Sequence, residues 1–144
     1  MLVRLAAFDR GLRGGRRQPC DERPFRSLSR WLAGGFAVHV SAEEGVLYPA
    51  LMRELPELAL TLEPLRADHA ELLHMAHSMT LLLVADRTPA RDEQLVVLGR
   101  DLVDLMRLHL RREERSVLDW CERVLPADSL RELRRRLSRV LGRP

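Results

Sequence analysis

His-Val-Ser-Ala-Glu-Glu at residues 39–44 is matched by His-Leu-Arg-Arg-Glu-Glu at residues 109–114, seventy positions further on. An α-helix turns once in about 3.6 residues, so side chains four apart stand one above the other. His39 with Glu43, and His109 with Glu113, are then vertical imidazole–carboxylate pairs. The flanking residues put both pairs on inward faces. Phe25, Leu28, Leu32, Phe36, His39, Glu43, Val46 and Ala50 follow one face of a helix predicted from Pro24 to about residue 54. Leu95, Leu98, Leu102, Leu105, His109, Glu113, Val117 and Trp120 follow one face of the longest helix, predicted from the Thr88-Pro89 cap to about residue 125.

Proline and glycine divide the rest of the chain. A short first helix is predicted over residues 2–12, with Leu2, Leu5, Ala6, Asp9 and Leu12 on one stripe and Gly14-Gly15 as its stop. Within the second helix, Gly34-Gly35 weakens the ladder, and Pro49 withdraws the amide that would bond to the Gly45 carbonyl, so a bend is expected one turn beyond Glu44. Pro56 ends that segment. The third helix is expected to start near Pro64 and to reach about residue 85, with Leu65, His69, Leu72, Ala76 and Leu83 in line. Beyond Pro126, Asp128 is the expected cap of a last helix with a seam of Leu130, Leu133, Leu137 and Leu141. Short connections make consecutive helices antiparallel neighbours. The expected fold is all-α: an up-down-up-down four-helix bundle over residues 1–125, with an additional Arg-rich C-terminal helix over residues 126–144 packed on it or extending it.

Composition agrees. Leu and Ala dominate a chain of 144 residues with 46% hydrophobic and 4% aromatic residues and neither Ile nor Asn, as suits one small helical domain. All basic residues are Arg, and the formal net charge of +3 is too small to argue for nucleic acid. No apolar run approaches the roughly 20 residues of a membrane span, and the opening lacks a signal-peptide pattern. A cytoplasmic protein is expected, with Cys20 and Cys121 as reduced thiols.

Charged and polar groups seldom occupy the centre of a core stripe, because burying one unpaired costs several kcal/mol. Here Asp9, His39, Glu43, His69, His109 and Glu113 do so on four helices. A pair of metal ions is the economical common partner, and nitrogen and oxygen donors without thiolate favour iron or manganese over structural zinc. Glu44 and Glu114 lie about 100° off the ligand face and read as supporting or surface groups. Tyr48, one turn beyond Glu44, can reach the site or simply pack. His74 and His77 fail on geometry and are expected at the surface.

The stretch FAVHVSAEEGVLYPALM (residues 36–52) resembles the second helix of hemerythrin-like, HHE cation-binding domains, LRADHAELL (residues 65–73) the third-helix motif, and LMRLHLRREERSVLDW (residues 105–120) the fourth. The resemblance implies a non-haem diiron centre of the Fe-O-Fe type, with Glu43 and Glu113 bridging and His39, His69 and His109 as terminal ligands. It implies dioxygen, nitric oxide or peroxide as the small ligand, in sensing or stress response. The family's first-helix histidine is replaced here by Asp9, and the second third-helix histidine of oxygen carriers by Leu73. An anionic oxygen donor favours the ferric state, which speaks against reversible oxygen carriage. The competing reading is a metal-poor bundle acting as a regulatory or interaction module, with Arg131, Arg134, Arg135, Arg136 and Arg139 facing an acidic protein partner or plain solvent. No substrate pocket can be read, so no catalytic residue is assigned.

Overall fold

The computed structural model describes residues 20–142. The predicted first helix, with Asp9, lies outside the described residues. Those described form an all-α helical bundle with no strand among them. The first rod comprises α1 (Arg23–Trp31), a π turn (Leu32–Phe36), α2 (Ala37–Ala42), a second π turn (Glu43–Leu47) and α3 (Tyr48–Glu54). It is followed by α4 (Leu58–Val84), α5 (Pro89–Val124) and α6 (Ala127–Val140).

The interruptions of the first rod fall where its sequence weakens the α ladder. Gly34-Gly35 lies in the first π turn, which is closed by the Ala37 N–H donating to the Leu32 carbonyl, five residues back. The second lies just before Pro49, with the Tyr48 N–H donating to the Glu43 carbonyl. The expected bend is thus taken up as a widened turn.

Two boundaries differ from expectation. The helix read as starting near Pro64 begins at Leu58, leaving Pro64 in its interior. The apolar stripe runs back through Leu62 to Leu58, both buried, and its burial outweighs the one backbone bond that proline removes. That bond would have gone to the carbonyl of Leu60, a residue 85% exposed, where water can replace it. The last helix starts at Ala127, so Asp128 falls within its first turn and makes no cap bond; there its charge faces the positive end of the helix dipole.

Packing divides the interior into two apolar clusters. Phe25, Leu28, Leu32 and Phe36 pack with Leu72, Met79, Leu95, Leu102 and Met106 in one. Tyr48, Leu51, Leu58, Leu62, Leu65, Val117 and Leu125 form the other, which Leu133 of α6 joins. Along the first rod and α5 the order is first cluster then second, and along α4 it is reversed, as antiparallel neighbours require. On all three helices a polar layer separates the two: His39 and Glu43, then Asp68 and His69, then His109 and Glu113.

The ends of the rods are fastened by side chains. Thr88 Oγ1 accepts from the Arg91 amide at 3.1 Å to cap α5. The buried Arg91 guanidinium donates to the Leu82 carbonyl at 2.6 Å and to Glu22 Oε1 at 2.6 Å, tying the α4–α5 connection to the start of the first rod. Helix α6 packs against α2 and the second π turn through its leucine seam, while Arg131, Arg134, Arg135, Arg136 and Arg139 are exposed. No described helix is long and apolar enough to cross a membrane.

Candidate metal centre

The polar layer brings together donors from three helices. One ligand atom from each of His39, Glu43, His69 and His109 lies within 4.8 Å of the others. Glu43 is central: its Oε1 is 3.4 Å from His39 Nε2 and its Oε2 is 3.2 Å from His69 Nε2. Glu113 joins from the far side, with Oε2 3.7 Å from His109 Nε2. The rings of His69 and His109 are 4.7 Å apart between centroids. Glu43, His69 and His109 are 5% exposed or less, so water cannot serve these groups freely.

The Nε2 atoms of His39, His69 and His109 are buried without a hydrogen-bond partner. They approach the Glu43 and Glu113 oxygens without the alignment that a hydrogen bond needs. A buried polar atom left unpaired costs about 1–3 kcal/mol, and three directed at one place are hard to explain as core histidines. Imidazole nitrogens and carboxylate oxygens are the donors that a divalent or trivalent cation takes, and the cluster fits a metal site.

Electrostatics favours the same occupant. Burial, and then the neighbouring His69, push His109 down to about 4, so it is a neutral imidazole with a lone pair at neutral pH. Burial likewise lowers His39. His69 is raised: burial pulls it down, but its contacts with Glu43 and Glu44 outweigh that. Burial raises Glu113 to about 8, helped by the Glu43 carboxylate beside it. Glu43 is held low, the histidines and Glu113 overcoming its burial. Without a cation, the proton shared by these two carboxylates rests on Glu113; a cation between them would release it.

Supporting groups fix the donors. His69 Nδ1 is 2.8 Å from Glu44 Oε1; as the donor in that bond it leaves Nε2 free to face the cluster. The fully buried Tyr48 donates its hydroxyl to Glu43 Oε2 at 3.3 Å, and its ring lies parallel to that of His69. Burial, followed by the charge of Glu43, raises the Tyr48 pKa and keeps the hydroxyl protonated. Glu114 is exposed, as are His74 and His77.

Sequence reasoning assigned no role to two residues at the site. Asp68 is buried, accepts from Arg112 Nη1 at 2.7 and 2.8 Å, and stands 3.7 Å from His109 Nδ1. Its position three residues after Leu65 and four before Leu72 was the available signal, since it puts an acid on the core face. Phe36 reads as an ordinary core residue, but its ring lies 5.8, 5.9 and 6.2 Å from the rings of His39, His69 and His109. It makes one wall of the cluster apolar.

Among known families, the model of the hemerythrin HHE cation binding domain matches residues 2–121. No curated protein and no solved structure matches the chain.

Proposed function

The chain belongs to the hemerythrin HHE cation-binding domain family, and from that premise we propose that it binds a pair of non-haem iron ions and through them dioxygen, nitric oxide or peroxide, in a sensing or stress role. The observation that carries this reading is the set of three buried, unpaired imidazole nitrogens gathered around Glu43. Their helices approach from different directions, and the donor set, rich in nitrogen and oxygen and free of sulfur, suits iron, with manganese as the other candidate. In this reading Glu43, Glu113, His39, His69 and His109 would hold the metals, with Asp9 as the sixth ligand.

When bound, an iron pair supplies open coordination positions and exchangeable electrons for a small diatomic or peroxide ligand. The protein holds and screens it. Glu44 keeps His69 in the tautomer that presents Nε2, Tyr48 fixes one oxygen of Glu43, and Asp68 gives His109 a negative neighbour while Arg112 balances its charge. Phe36 and the apolar clusters on either side wall the donors off from bulk water. The cytoplasm is the setting we propose, where the thiols of Cys20 and Cys121, which form no disulfide, stay reduced.

The test is spectroscopic. Protein loaded anaerobically with ferrous iron and then exposed to dioxygen or nitric oxide should develop a charge-transfer absorption. Glu43→Ala combined with Glu113→Ala should abolish it together with metal retention. A wild-type chain that gives no spectral response to either gas would overturn the proposal.

A further inference from the structure

The two His-x-x-x-Glu-Glu copies are alike in sequence but differ in what their second glutamate does. In the first, Glu43 and Glu44 both address one imidazole, Glu43 at His69 Nε2 (3.2 Å) and Glu44 at His69 Nδ1 (2.8 Å). In the second, Glu113 faces His109 at 3.7 Å while Glu114 points to solvent. Consecutive side chains on an α-helix diverge by about 100°, which accounts for the second copy and not for the first.

The backbone supplies the difference. Glu43 and Glu44 open the π turn Glu43–Leu47, whereas Glu113 and Glu114 lie within the uninterrupted α5. A ladder closed five residues back holds more residues per turn, so neighbouring side chains diverge less. The turn ends against Pro49, whose ring would clash with the Gly45 carbonyl in α register and which has no amide to bond to it, so a widened turn that moves this carbonyl away is favoured. Gly45 is not what the turn needs sterically, since a Cβ there would meet nothing within 4 Å.

We propose that Pro49 is a positioning residue for the metal centre: it keeps the turn at Glu43–Leu47 in π register, and that register holds both glutamates on His69. The inference rests on the metal-centre reading for its functional half and on backbone geometry alone for its structural half. Pro64 provides the internal control. It too sits inside a helix, five residues before His69, yet α4 remains α-helical throughout.

Pro49→Ala and Pro64→Ala are compared in the full chain, first metal-free, then titrated with ferrous iron. Trans-hydrogen-bond couplings in the metal-free protein should place the Tyr48 amide on the Glu43 carbonyl in wild type and on the Glu44 carbonyl in Pro49→Ala. Both variants should fold and be at least as stable as wild type without metal, because each regains a backbone donor. Pro49→Ala should then bind iron about 10- to 100-fold more weakly, as loss of a ligand's supporting partner does, while Pro64→Ala binds as wild type. An unchanged Tyr48 bond in Pro49→Ala overturns the inference, as does a shifted bond with unchanged iron affinity. If wild type itself takes up no iron, the function proposed above fails, and the coupling measurement still decides whether Pro49 sets the register.

Discussion

The first rod and α5 carry the same six-residue motif, but one bends around it and the other runs straight through. On the first rod the motif follows one widened turn and runs into a second, and Glu43, Glu44 and Tyr48 all reach the polar layer. On α5 it lies in regular helix; His109 and Glu113 reach the layer and Arg112 meets it at Asp68, while Glu114 is exposed. Identical motifs therefore give unequal halves of a site. The inequality comes from helix register, which places side chains that composition alone cannot.

The largest difference to break is between the second glutamates. Glu44→Ala removes the partner of His69 Nδ1 and should weaken iron binding by about 10- to 100-fold, whereas Glu114→Ala should leave it unchanged within error. Equal losses in the two variants, read by metal titration, would make the halves equivalent after all.

Next come the first glutamates, whose contributions to metal-free stability depend on pH in opposite senses. Glu113 is raised to about 8, so the stability tied to it is fully present below the ordinary carboxylate value and is lost as pH climbs toward 8. Glu43 is lowered, so its contribution is present above the ordinary value and is lost as pH falls through the folded-state pKa. Thermal unfolding without metal should show Glu113→Gln more stable than wild type near pH 8, and Glu43→Gln less stable there. The same direction of change in both would contradict this assignment.

Smallest is the effect of Tyr48, which serves the first half only; Leu118 occupies the corresponding place in the second motif. Tyr48→Phe keeps the ring and deletes the bond to Glu43, and should cost about 0.5–1.5 kcal/mol in metal-free stability without changing the number of metals bound. A shift in metal stoichiometry would show that the hydroxyl does more than steady a carboxylate.

Much of this arrangement was legible in the chain because helical spacing is a strong constraint. The inward faces of His39, Glu43, His69, His109 and Glu113 follow from stripes of leucine and phenylalanine on either side of them. The weak points of the first rod were also visible, in Gly34-Gly35 and Pro49. Their outcome was not, since a lost amide can be absorbed by a kink or by a widened turn, and the choice depends on the surrounding packing. Pro64 misled for the related reason that proline favours a helix start; Leu58 and Leu62 carried the contrary signal by extending the stripe backwards. The pairing of Glu44 with His69 joins residues 25 positions apart through a bulge, which a regular helical wheel projects to the wrong side.

The polar layer is above all a place for metal in this reading. Anaerobic titration of the wild-type chain with ferrous iron, followed by removal of unbound metal and counting of iron per chain, tests that directly. About two per chain are expected, as for di-metal sites in helical bundles, and none in the Glu43→Ala, Glu113→Ala double variant. A wild-type chain that emerges without iron, or a double variant that retains as much as wild type, would contradict it.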